Sequence, residues 1–194
     1  MKEFFHKYSY SIVKMFVNQF AISIFGSVLA MATTSANNDV LTLVVSIGAV
    51  MFYLFLLYVM TWEIGAKDRV SVDLGKKEYR PLTGALLSLI ANIPNLIIAI
   101  TFALGTVFKS DMARFISRIA YILLEGMYLG ITSALPFGWS ESGALPLYDS
   151  SVAIYFLMTL PAIITCGLAY FLGHKNVKFT TLFDYKAPDQ TKKK

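Results

Sequence analysis

The chain of 194 residues is 56% hydrophobic and 15% charged, with a net charge of +5 and a mean hydropathy of +0.61. A chain so apolar and so unevenly patterned excludes a water-soluble domain, and a single integral membrane domain over residues 1–194 is expected. The positive balance does not point to nucleic acid, because the basic residues lie between apolar runs without forming a basic face; it orients the chain in a bilayer.

A hydrocarbon core about 30 Å thick is crossed by roughly 20 helical residues. Stretches 11–33, 41–62, 82–107, 115–135 and 151–173 have that length and apolarity. The expected fold is all-α, a polytopic membrane helix bundle of four to five spans with a re-entrant or kinked helix at 82–107. The single cysteine, Cys166, falls in the last stretch, so an intrachain disulfide and a cysteine metal cluster are both excluded and it reads as a packing residue.

Residues 1–10 mix Lys2, Glu3, His6 and Lys7 with Phe4, Phe5, Tyr8 and Tyr10. That mixture suits the headgroup region, so an interfacial N-terminus leading into the first span is expected. Lys2, Lys7 and Lys14, followed by an apolar run and Ala30-Met31-Ala32, also resemble a secretory signal; a retained helix is the reading adopted. Span one carries Asn18 and Gln19, and its Gly26 and Ala30 stand at a small-xxx-small spacing that lets a neighbouring helix come close. Connection 34–39 has no lysine or arginine, and span two ends on Trp62, in an interfacial position.

Residues 63–80 set Lys67, Arg69, Lys76, Lys77 and Arg80 against Glu63, Asp68, Asp73 and Glu78. Charge density of this kind makes 63–80 a cytoplasmic loop, expected to be solvated, with those five cations as a docking face for a membrane or cytoplasmic subunit. Glu63 with Asp68, or Asp68 with Asp73, has the charge to hold a metal, but such pairs are common in solvated loops and no metal site is assigned.

Stretch 82–107 is interrupted by Asn92-Ile93-Pro94-Asn95, two amides and a helix breaker that hydrocarbon does not accept without partners. If all five stretches cross, the basic residues divide eight against nine, which is no bias. If 82–107 dips in and returns, all seventeen lie on one side, and this re-entrant form is favoured. The competing form is a single kinked crossing, with span four or five failing to cross and Lys109, Arg114 and Arg118 left outside. The favoured form places both termini in the cytoplasm, with 174–194 as a cytoplasmic tail.

Residues 109–118 are amphipathic and suit the membrane surface. Span four then holds Glu125, the only acid deep in an apolar stretch, on one helical face with Arg118, Tyr121, Tyr128 and Thr132. A carboxylate in hydrocarbon costs a few kcal/mol unless protonated or paired, so it marks a site by default. The candidate midplane polar site is Glu125, Asn92, Asn95, Tyr121, Tyr128 and Asn18, working as a proton or cation relay or a ligand to a polar substrate. The alternative is a structural acid bonded to Tyr121, Tyr128 or an amide. Gly126 and Gly130 form a GxxxG that would hold this helix against another.

Trp139, Pro146 and Tyr148 give 136–150 an interfacial pattern. Span five has a kink at Pro161 and a C-cap at Gly173. Its tail alternates apolar and polar residues and closes on Lys192-Lys193-Lys194, suited to anionic lipid.

No phosphate-binding loop, dinucleotide fingerprint or zinc-protease motif occurs, and His6 and His174 sit at the two ends of the apolar region. No catalytic residue or cofactor is therefore assigned, and an enzyme is not expected. Ile64-Gly65-Ala66-Lys67-Asp68, followed by Leu89-Ile90-Ala91-Asn92-Ile93-Pro94-Asn95, resembles small multi-pass membrane proteins of Clostridia-type bacteria that lack an assigned function. The resemblance covers about residues 62–100 and implies a bacterial inner-membrane setting. The leading expectation is a non-enzymatic accessory or substrate-handling subunit of a membrane assembly in the cell membrane. The alternative is a small transporter or channel built on the midplane site.

Overall fold

The computed structural model describes residues 2–35, 38–76, 78–134 and 152–177, and they form helices joined by turns. The helices are α1 (Lys2–Ser35), α2 (Asp39–Asp73), α3 (Thr83–Ala91), α4 (Ile93–Val107), α5 (Asp111–Glu125), α6 (Leu129–Ala134), α7 (Val152–Leu157) and α8 (Leu160–His174), with a 3-10 turn at Gly126–Tyr128 between α5 and α6. Among the described residues four helical segments are long and apolar enough to cross a membrane, or five if the bent pair α3 and α4 counts as one span. The molecule is a polytopic membrane helix bundle.

Side chains are arranged as a bilayer demands, with the larger apolar groups outside. On α1 the exposed stripe is Val13, Val17, Phe20, Ile24, Val28 and Met31, while the buried stripe includes Gln19, Ser23, Ser27, Ala30 and Thr33. On α2 the buried stripe is Thr42, Ser46, Ala49, Tyr53, Leu57, Thr61, Gly65 and Asp68. Small and polar residues let backbones approach and bond across helices, whereas lipid solvates the branched and aromatic ones.

Three glycines let α8 come close to α2 and α3. A Cβ on Gly65 would land on Tyr170 O, one on Gly84 on Cys166 O, and one on Gly173 on Trp62 O. α8 is thus seated in a groove between α2 and α3.

Helix α2 runs through most of the stretch expected to be a loop. Glu63 and Lys67 pair at 3.8 Å and Arg69 and Asp73 at 3.6 Å, each one turn apart. Such pairs stabilise a helix by about 0.3–0.5 kcal/mol each, and the buried repeat of Leu57, Thr61, Gly65 and Asp68 keeps one face packed. The expected 63–80 loop is therefore corrected to a helix ending at Asp73 and a short connection. Gly75 closes it in the left-handed region at φ +67, with Gly75 N donating to Val72 O and Lys76 N to Ser71 O at 2.9 and 3.0 Å. Helix α8 ends in the same way on Asn176 at φ +57, with Val177 N donating to Leu172 O at 3.0 Å. Gly173 is thus a packing residue, not the C-cap expected. Trp62 lies within α2 and donates from Nε1 to Val177 O at 2.8 Å.

Both ends of the bundle are defined by side-chain contacts. At one end Tyr8 of α1 and Tyr170 of α8 meet Asp68 of α2, and Tyr79, shortly before α3, stacks on His174 at 4.0 Å. At the other, Gly130 N of α6 donates to Ser46 Oγ near the start of α2 at 2.8 Å. Chain direction through the middle follows from these two ends. The α3–α4 pair bends by 56°, and Phe102 of α4 stacks on Tyr155 of α7 at 4.3 Å, so the pair leads away from the Asp68 end. A break of this size is that of a broken span or of a re-entrant segment, the two forms expected for 82–107.

Helix α5 runs back along α4, since Gly105 packs on Ala113 and Arg114 while Asn95 meets Glu125. There the 3-10 turn diverts the chain into α6 and toward Ser46. The expected features of 136–150 and of 178–194, including the lysines that close the tail, and Lys77 lie outside the described residues.

Candidate functional site

Glu125 is the last residue of α5, and the backbone break behind it frees the amide protons that a continuing helix would have used. Gly126 N donates to Ser23 Oγ at 2.6 Å and Gly130 N to Ser46 Oγ at 2.8 Å. The two glycines of the GxxxG thus meet different helices: Gly126 packs on Ser23 and Ser27 of α1, and Gly130 on Thr42 and Ser46 of α2. Ile122 O, in the last turn of α5, accepts from Ser23 Oγ and Ser27 Oγ at 3.3 and 3.0 Å. α1 therefore supplies the polar groups that hold a broken helix open.

Helix α4 begins beside a matching break. α3 stops at Ala91, Asn92 forms the joint, and Pro94 sits in the first turn of α4, where its missing N–H is least costly. Asn92 Nδ2 donates to Ser88 O at 2.8 Å, and its Oδ1 accepts from Asn95 Nδ2 at 2.9 Å. Asn95 Nδ2 also donates to Glu125 Oε1 at 2.5 Å. Gln19 Nε2 reaches the same oxygen at 3.3 Å and Leu124 O at 3.1 Å.

The result is a continuous polar line, Ser88, Asn92, Asn95, Glu125 and Gln19, drawn from α3, α4, α5 and α1. Each of these residues is less than 5% exposed. Tyr53, Tyr121 and Tyr128 stand close enough to the carboxyl to interact with its charge. Glu125 Oε2, Asn95 Oδ1 and the hydroxyls of Tyr121 and Tyr128 have no hydrogen-bond partner among the described residues.

Of the six residues expected at this site, Glu125, Asn92, Asn95, Tyr121 and Tyr128 converge. Asn18 does not: its Nδ2 faces Met60 Sδ of α2 at 4.0 Å. Gln19 takes that place, and the four-residue buried repeat of Met15, Gln19 and Ser23 is the signal that selects it.

A second buried acid was missed. Asp68 is 2% exposed and accepts from Lys7 Nζ at 2.8 Å, from Tyr170 Oη at 2.9 Å, and from Tyr8 Oη. One carboxylate thus ties α1, α2 and α8 at one end, and it is turned to these partners instead of toward solvent with Glu63 and Asp73. Among the docking cations, Lys67, Lys76 and Arg80 are exposed and Arg69 is partly exposed. All four stand at the Asp68 end. Arg118, expected on the Glu125 face, is buried with its guanidinium 5.8 Å from the Phe102 ring.

No protein-family model, no curated protein and no solved structure matches the chain.

Proposed function

We propose that this protein is a small, non-enzymatic transporter of the bacterial inner membrane whose working site is the polar centre around Glu125, Asn92 and Asn95. The observation that carries the reading is the meeting of one carboxyl with amides from two other helices inside the bundle, at helix breaks on α3–α4 and α5–α6. Helices broken around a buried polar site are the construction by which membrane proteins expose unwound backbone and ionisable groups to a transported solute. Gln19 lies about 16 Å along α1 from Tyr8, close to half of a 30 Å core, so the centre falls near the midplane.

Orientation follows from charge. Lys7, Lys67, Arg69, Lys76, Arg80 and Lys175 stand at the Asp68 end, against Lys109 and Arg114 around the turn between α4 and α5, and the described residues around 38–46 and 129–134 contain no lysine or arginine. By the positive-inside rule the Asp68 end is cytoplasmic, and with it the start of α1 and the end of α8. The resemblance over residues 62–100 supplies the bacterial setting.

The test is flux. Vesicles containing the purified protein and a pH- or sodium-sensitive dye should dissipate an imposed gradient, and Glu125→Gln should change that rate. A variant that matches wild type removes the reading.

A second reading is favoured by the exposed cations Lys67, Lys76 and Arg80 at one end: the protein is the substrate-handling subunit of a larger assembly and docks through them. Replacing Lys76 and Arg80 by glutamate should then reduce a copurifying partner; unchanged recovery counts against docking there.

A further inference from the structure

We propose that the Glu125 centre binds one monovalent cation, either a proton or an alkali ion such as sodium, directly on Glu125 and Asn95. This rests on the reading of that centre as the working site and names what it takes.

The amide donors at the centre are committed. Asn92 Nδ2 is held by Ser88, Asn95 Nδ2 is shared between Asn92 and Glu125 Oε1, and Gln19 Nε2 is shared between Leu124 O and the same Oε1. What remains without a partner among the described residues is two bare acceptors, Glu125 Oε2 and Asn95 Oδ1, and the hydroxyls of Tyr121 and Tyr128, each of which can accept as well as donate. Leaving buried acceptors unmet is costly, and more so for a carboxylate in a membrane interior.

The electrostatics have the same sign. Glu125 closes α5, so the negative end of a fifteen-residue helix dipole adds to its charge. Broken-helix ends of this kind are where membrane proteins hold Na⁺ or H⁺. The basic side chains nearby in the fold are engaged elsewhere: Lys7 is on Asp68, and Arg118, two turns back along α5, lies over the Phe102 ring.

The charge number follows from the ligand set. One carboxylate with neutral oxygens balances a single positive charge, whereas Ca²⁺ or a transition metal recruits several carboxylates, thiolates or imidazoles. Among the described residues no group of three or more such side chains gathers. A proton would sit on the carboxyl and donate to a neighbouring oxygen; an alkali ion would be held by several of these oxygens at once.

The test is an equilibrium measurement on the whole protein in lipid nanodiscs, requiring no flux. Thermal unfolding is followed across a sodium chloride titration, with choline chloride as the ionic-strength control, and across pH at fixed sodium. An alkali-ion site gives a sodium-specific rise in Tm, roughly 5–10 °C at about a hundredfold excess over Kd. A proton site gives a Tm that falls as pH rises and ignores sodium. In either arm Glu125→Gln loses the dependence.

Infrared spectra of the wild type alone provide a second measurement should that variant fold poorly: a protonated carboxyl band is expected, lost on deprotonation or on adding sodium. A wild type responding to neither ion, or a Glu125→Gln protein responding identically, overturns the proposal. Cation-dependent Tm without vesicle flux would overturn the transport reading and leave the cation site standing.

Discussion

Asn95 donates from Nδ2 to Glu125 Oε1 at 2.5 Å, and each residue stands next to a break in its own helix. The coincidence has a physical cause. A helix interrupted in hydrocarbon exposes backbone groups that must be met within the protein, and the residues able to meet them are polar. Bringing two breaks together lets one set of side chains serve both, with Gln19, Ser23 and Ser27 of α1 completing it.

Asp68 is predicted to be a main fastening at its end of the bundle. Asp68→Ala removes three bonds to one buried carboxylate and strands two phenols, at a cost of about 2–3 kcal/mol; the figure is moderated because the Lys7 side chain is 46% exposed. Asp73→Ala, which loses only an exposed pair with Arg69, should cost less than about 0.5 kcal/mol. Thermal unfolding of the two variants in nanodiscs decides it, and equal effects would remove Asp68 from its assigned role.

Glycine substitutions should divide by position. Gly65→Ala and Gly130→Ala place a Cβ on the backbone oxygens of Tyr170 and Thr42, which cannot withdraw without moving a helix. Each is expected to destabilise by about 2 kcal/mol or more. At Gly48 an added Cβ meets nothing within 4 Å, so Gly48→Ala should be neutral or stabilise by up to about 1 kcal/mol through helix propensity. Ranking the three by Tm is sufficient.

Chain direction can be read by thiol labelling. With the buried Cys166 replaced by alanine, Lys76→Cys should react with a membrane-impermeant reagent from the cytoplasmic side and Asn38→Cys from the opposite side. Ser110→Cys, at the turn between α4 and α5, should label with Asn38→Cys. Labelling together with Lys76→Cys would instead mark the re-entrant arrangement.

Much of this architecture was legible in the residues. Apolar runs of bilayer length, the break at Asn92-Ile93-Pro94-Asn95 and the isolation of Glu125 in hydrocarbon are local properties, and local physics reads them. What escaped depended on partners. The charged residues of 63–73 look solvated until α8 is in place, when Gly65 and Asp68 become the continuation of a buried stripe. Asn18 and Gln19 are adjacent amides, and only the facing of α1 decides that Gln19 reaches Glu125 while Asn18 reaches Met60. The break after Glu125 was hidden because 115–135 reads as one apolar run, although Gly126 lies within it. Pro94 marked the bend, but packing of α4 on α5 and α7 sets its angle.

The measurement closest to the central claim is a double-mutant cycle on Asn95 and Glu125, using Asn95→Ala, Glu125→Ala and the pair, read by unfolding in lipid nanodiscs. Buried neighbours sharing a charge-assisted bond should show a coupling of about 1–3 kcal/mol. Effects that add within about 0.3 kcal/mol would mean the two side chains do not meet, and the polar centre would not exist.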